Sequence, residues 1–128
     1  MPEVIFYKDE KGNEPVYEFI KELEGRHDKN SRIHLNKIYD DIEVLIKHGI
    51  DGARITKSMK HLDGEIWELR PIDNRILFGA WIKDVFVLLH VFIKKTQKTP
   101  PAEIEKAKKE LADFRERLGG GYNGQRED

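Results

Sequence analysis

The chain has no cysteine, and that one absence removes disulfide bonds, thiolate nucleophiles and cysteine-ligated zinc together. No apolar run approaches the ~20 residues that a bilayer-spanning helix needs. Met1-Pro2-Glu3 offers neither a basic leader nor an apolar segment, so no secretory signal is expected and the cytoplasm is the expected location. No glycine-rich phosphate loop follows a strand-like run, which leaves nucleotide-cofactor chemistry without support. The five histidines are scattered, with no His-x₃-His spacing. Neither a metal nor any other cofactor is expected. A strong net charge is missing too: the total is −1, which argues against a generic polyanion binder.

What is present fits one domain. At 128 residues, with 38% hydrophobic and 37% charged positions, the chain can bury a single core under a heavily charged surface. The neutral total hides an asymmetry. Residues 1–53 carry eight Lys/Arg against twelve Asp/Glu, residues 54–98 carry nine against five, and residues 99–128 carry six against seven. An anionic ligand is therefore expected on the middle third.

Val4-Ile5-Phe6-Tyr7 reads as a strand ended by the turn residues 8–13. Val16, Phe19, Ile20 and Leu23 fall at i, i+3, i+4 and i+7, with Pro15 in the first turn and Gly25 at the end, which predicts a helix. Asp28, Asn30 and Ser31 each offer an N-cap for a longer helix whose stripe is Leu35, Ile38, Ile42, Leu45 and Ile46. The two helices predict a hairpin packed on a sheet. Residues 50–59 have no clear period and read as a linker with a little strand.

Residues 65–93 hold three strand-like runs so close together that an antiparallel meander is the natural solution. Alternation assigns the faces. Trp67 and Leu69 share one, and Ile66, Glu68 and Arg70 the other. Ile76, Phe78, Ala80 and Ile82 face the core, with Arg75, Leu77, Gly79 and Trp81 opposite. Val85, Val87, Leu89, Val91 and Ile93 are the expected core set of the last run, which leaves Phe86, Leu88, His90, Phe92 and Lys94 opposite. On that basis Arg70, Arg75, His90 and Lys94 converge. Thr99, as N-cap, and Pro100-Pro101 begin a final helix with the stripe Ile104, Ala107, Leu111, Phe114 and Leu118. The expected fold is α+β: a short N-terminal strand and two-helix hairpin on a mainly antiparallel sheet, then a C-terminal helix. The domain is expected over 1–118, and a flexible Gly-rich tail over 119–128.

Four segments together carry a family resemblance: Lys60-x-Leu62-x-Gly64-x-Ile66-Trp67-Glu68-Leu69-Arg70, Arg75-Ile76-Leu77-Phe78, Val87-Leu88-Leu89-His90-x-Phe92-x-Lys94-Lys95-Thr96-x-Lys98-Thr99-Pro100, and Glu103-Ile104-x-x-Ala107. The combination resembles the phage-derived, HigB-like branch of the RelE/ParE toxin superfamily. The resemblance implies the toxin of a type II toxin–antitoxin system, a metal-independent endoribonuclease that cleaves mRNA on the ribosome by attack of a 2′-OH on the adjacent phosphate. It also implies a helix-turn-helix, HigA-like antitoxin as partner, with a toxin–antitoxin heterotetramer as one assembly, and no membrane. The ParE branch shares the fold but poisons DNA gyrase without cleaving anything, and a prophage relic would bind only its antitoxin.

The resemblance places Arg70, Arg75, Lys94 and Lys95 at family basic positions. A guanidinium grips a phosphate through two parallel hydrogen bonds, which suits Arg70 and Arg75 to the developing charge. Taken alone, the same arginines suit a salt bridge with Glu68 or Asp73. His90 completes the candidate catalytic set through its near-neutral unperturbed titration, although a histidine amid apolar residues is more often a satisfied, half-buried side chain than a catalyst. Lys60, His61, Lys98 and Trp81 are the candidate RNA-binding residues; Trp81 could stack on a base or pack under the last helix, and packing is preferred. The tyrosine that RelE uses on its last helix has no equivalent in residues 95–118.

Overall fold

A short apolar run and a tight polar turn make β1 (Glu3–Phe6). Asp9 closes the turn, its Oδ1 accepting the backbone N–H groups of Lys11 (2.9 Å) and Asn13 (2.8 Å). The computed structural model describes residues 2–82 and 84–119, without the side chains of 118 and 119. The expected Gly-rich tail from residue 120 onward and the Leu118 side chain that ends the last apolar stripe lie outside the described residues.

Helix α1 (Pro15–Glu24) buries Val16, Ile20 and Leu23, as its spacing predicts. Helix α2 (Lys29–His48) is capped by Asp28, whose carboxylate accepts the Ser31 N–H at 2.9 Å. It buries Leu35, Ile38 and Leu45, while Ile46 stays 38% exposed at the margin of the stripe. Asp41 is buried on α2 as well; it accepts from Lys37 Nζ (2.9 Å) and from the Ser58 hydroxyl, tying the helix to the segment before the sheet.

A turn of 3₁₀ helix, Gly49–Arg54, leads into β2 (Met59–Asp63), β3 (Ile66–Leu69), β4 (Asn74–Ile82) and β5 (Val85–Ile93). The three expected runs form the meander, and β2 extends it by a fourth strand that the aperiodic sequence before Lys60 did not announce. The order is β1-β5-β4-β3-β2, with β1 parallel to β5 and every other pair antiparallel. Helix α3 (Pro101–Phe114) follows, then a wider turn, Arg115–Gly119.

Both faces of the sheet are covered. The α1–α2 hairpin packs on Leu69, Ile76, Phe78, Phe86 and Leu88. The other face carries Ile66, Leu77, Trp81, Val85, Val87 and Leu89 beneath Ala107, Leu111 and Phe114 of α3. Phe78 is fully buried, and truncating such a ring to alanine costs about 3–5 kcal/mol.

Two bulges correct the simple alternation. Leu77 pairs with His90 but Phe78 pairs with Leu88, so Leu89 is an extra residue on β5. Val85, Val87 and Leu89 therefore share the α3 face with His90 and Phe92, while Val91 crosses to the hairpin side with Phe86 and Leu88. Measured against β4, the phase expected over 85–93 is reversed before the bulge, where Phe86 and Leu88 rather than Val85 and Val87 join Ile76 and Phe78 on the hairpin side, and it holds beyond the bulge, where His90 and Phe92 lie with Arg75. A second extra residue, Trp81, puts Trp81 and Ile82 together on the α3 face, so Ile82 does not continue the Ile76–Phe78–Ala80 set.

Candidate functional site

The C-terminal ends of β3 and β5 and the N-terminal end of β4 lie at one margin of the sheet, because neighbouring strands alternate in direction. Leu69 pairs with Ile76 and Arg75 with Phe92, so Arg70, Arg75 and Lys94 collect there. Backbone bonds fix the strand ends: the Arg70 N–H donates to the Ser58 carbonyl and the Lys94 N–H to that of Asp73, each at 2.7 Å.

Arg75 is 6% exposed, yet no carboxylate pairs with it among the described residues. Its Nη1 donates to the carbonyls of Ile72 (3.0 Å) and Asn74 (2.8 Å). Burial, then the neighbouring Arg70 charge, draws its guanidinium below the usual range, against a weaker pull from Glu68 and Asp73. The carbonyl of Ile72 is aimed at Arg75 by a turn in which Ile72 has φ of 61°, a left-handed conformation that a β-branched residue adopts at a cost.

Arg70 does pair, its Nε lying 3.4 Å from Glu68 Oε2. Glu68 is 1% exposed and also accepts the Thr99 hydroxyl at 2.6 Å. Thr99 thus binds the sheet rather than capping α3, whose N-cap is Pro100. Lys94 is partly buried, whereas Lys95 and Lys98 are exposed; none of the three pairs with a carboxylate among the described residues.

His90 lies on the same face, 2% exposed, two residues behind the Arg75–Phe92 pair. Its Nδ1 is 2.5 Å from Glu110 Oε1 and its Nε2 is 2.9 Å from Glu103 Oε1. An imidazole can donate at both nitrogens only when it carries both protons. The ring therefore clamps α3 to β5.

The remaining candidates divide. Lys60 pairs with Glu68 across β2–β3 and projects, exposed, on the side of Arg70. His61 pairs with Trp67 on the opposite face; its ring lies 4.9 Å from the Trp67 ring and its Nε2 is 2.8 Å from the Gly64 carbonyl. Trp81 lies at the far end of β4, six residues or roughly 20 Å from Arg75. It is buried against Phe114 at 5.1 Å, so the packing alternative is the one realised.

The sequence showed part of the acidic half of this face: Glu68 shares its alternation with Arg70, and the salt bridge read as one alternative for that arginine is present. The clamps of Glu103 and Glu110 on His90 join residues 13 and 20 apart, and no local pattern encodes them.

A second polar knot lies behind the cluster. The Tyr7 hydroxyl donates to Asp113 Oδ2 (2.5 Å), and Arg117 holds the same carboxylate through Nε (2.8 Å) and Nη2 (2.7 Å). Those bonds, Arg117 first and Tyr7 second, lower the Asp113 pKa to about 2, while burial and then Asp113 push the Tyr7 phenol up. Among the described residues no group of His, Asp or Glu is placed to hold a metal ion, and no helix is long and apolar enough to cross a membrane.

Comparison with known proteins returns no match among curated proteins. The family described as "Phage derived protein Gp49-like (DUF891)" matches residues 18–112, from the first turn of α1 into the last of α3. That span is more than half of the chain and holds every strand of the meander and every residue of the basic margin. The chain belongs to the phage-derived Gp49-like family.

Proposed function

We propose that this protein is the toxin of a type II toxin–antitoxin system, of the HigB-like branch of the RelE/ParE superfamily, and that it cleaves mRNA on the ribosome. The observation that carries the reading is the pair Arg70 and Arg75, set side by side at adjacent strand ends, with Arg75 held by carbonyls and left without a carboxylate. Such a pair can receive a phosphate. Membership of a phage-derived family fits a mobile toxin gene.

In this mechanism the 2′-oxygen of the RNA attacks the adjacent phosphorus, the bond to the 5′-oxygen breaks, and the products are a 2′,3′-cyclic phosphate and a free 5′-OH. A base takes the 2′ proton and an acid protonates the leaving oxygen. Arg70 and Arg75 stabilise the extra charge on the phosphorane, where each well-placed donor is worth about 100- to 1,000-fold in rate. Lys94 and Lys95, with Lys60 and Lys98 further out, hold flanking phosphates. A helix-turn-helix, HigA-like antitoxin would silence the protein by covering this margin.

One observation favours a second reading. Both ring nitrogens of His90 are taken by carboxylates, and His34, which reaches the margin from α2, is itself held by Asn74 at 3.0 Å. That arrangement suits a ParE-like toxin that binds gyrase and cleaves nothing.

Induction of the chain alone in bacteria, with mapping of mRNA 5′ ends beside an Arg70→Ala control, separates the two. New, translation-dependent ends that the control lacks are the expected result. Growth arrest with intact mRNA would overturn the nuclease reading in favour of the second.

A further inference from the structure

The strand β1 stops short. Its register with β5 runs from Glu3–Val85 to Phe6–Leu88, and its last bond to β5 is the Tyr7 N–H to the Leu88 carbonyl at 2.9 Å. β5 continues to Ile93, so residues 89–93 have a strand on the β4 side only. The Lys94 N–H points to the β4 side, where it meets Asp73. By alternation the main-chain groups of Ile93 and Val91 point the other way, into the place that a longer β1 would fill.

That place is a groove. A cavity of about 510 Å³ is lined by Phe19 of α1, Val91, Phe92 and Ile93 of β5, Lys95, and Pro100 and Glu103 at the start of α3. A smaller one of about 150 Å³ shares Phe19 and Ile93 and runs on past Arg26 and His34. Ile93, between them, is 63% exposed. An apolar trough along an unpaired strand edge is the geometry that accepts an extended segment as an added strand.

Charge identifies the occupant. Lys95 lines the groove and Lys94 and Lys98 are its neighbours, all without a carboxylate partner among the described residues. The one acid on the wall, Glu103, already engages His90. A second copy of this chain, docked symmetrically, would bring these lysines against their own equivalents. We propose that the groove binds an extended segment of a partner protein, apolar at alternate positions and carrying carboxylates toward Lys95, which adds to the sheet beside β5. The proposal does not rest on the nuclease reading, since it uses neither Arg70 nor Arg75.

The probe is a synthetic octapeptide of alternating valine and glutamate, titrated into the full chain and followed by amide NMR and hydrogen exchange. A valine–lysine octapeptide and a copy of the probe N-methylated at alternate residues, on either phase, are the controls. The expected result is movement of the Val91, Ile93 and Lys95 amides, with exchange at Val91 and Ile93 slowed about tenfold. Lys95→Glu should weaken the probe about tenfold and improve the lysine peptide. Ile93→Asp should abolish binding, with the unchanged amide spectrum elsewhere reporting an intact fold. No movement at millimolar peptide, equal binding of both N-methylated copies, or preference for the lysine peptide by the parent chain would each overturn the proposal. So would a concentration-dependent dimer in sedimentation that Ile93→Asp dissolves, because the groove would then belong to a second copy.

Discussion

Replacing His90 with phenylalanine keeps the ring's volume and removes both hydrogen bonds to α3. A hydrogen bond to a charged group contributes about 1.5–3 kcal/mol. Glu103 is 30% exposed at its side chain and can turn to water, so its share falls at the low end or below. Glu110 is only 12% exposed, so it gains less water in exchange and is left largely buried and unpaired. The expected loss is about 3 kcal/mol, most of it from the stranded Glu110. Adding Glu110→Leu removes the stranded charge and should bring the double variant back to within about 1 kcal/mol of the parent. Glu110→Leu alone leaves His90 Nδ1 without its partner, at about 1 kcal/mol, so the coupling between the two positions is about 3 kcal/mol, at the top of the range for residues in direct contact. Urea unfolding of the parent, both single variants and the double variant measures it, provided that the slopes agree. If His90→Phe alone stays within about 0.5 kcal/mol of the parent, or if the double variant is as unstable as the sum of the singles, the clamp does not hold α3 as described.

Two further outcomes follow from local strain and local charge. Ile72→Asn places a residue that tolerates the left-handed region at φ of 61°, and should raise stability by about 1 kcal/mol in the same urea assay. Unchanged or lower stability would remove the claim of strain. Asp113 has its pKa held at about 2 by Arg117 and Tyr7, below the ~3.9 of an unfolded chain. Its contribution is therefore complete above about pH 4 and is lost as pH falls toward 2. It stays below about 1 kcal/mol, because the pair is nearly a third exposed. Arg117→Gln should flatten that part of the stability–pH curve, as urea midpoints between about pH 5 and pH 2 would show.

The helices, the strands β3, β4 and β5 and their meander were legible because burial and turn spacing enforce them. α1 shows this well: Val16, Ile20 and Leu23 are buried where the spacing places them. β5 shows the limit. A strand that is apolar on both faces satisfies either phase, so nothing in Val85–Ile93 marks Leu89 as the extra residue. β2 was faint because a charged edge strand, Met59–Asp63, lacks the alternation of a half-buried one. At the basic margin, Arg70 and Arg75 could be brought together from adjacent strand phases alone. The carboxylates facing His90 come from α3, and only the docking of that helix reveals them.

The extra residue in β5 divides the strand into two parts with separate duties. Val85–Leu88 answers to β1 and to the two packing faces, whereas His90–Lys94 answers to α3 and to the basic margin. Leu89 is the one place in the strand where a residue can be lost without turning anything over: Leu88 would run straight on to His90, and the pairs Phe78–Leu88 and Leu77–His90 would become consecutive rungs of a regular ladder. His90 would still face the two glutamates, and Val91 would still face the hairpin. A change of one residue elsewhere in the strand would exchange its faces instead. Length variation among relatives should therefore collect at this position, and an alignment that places a single gap here removes a residue, not a face of the protein.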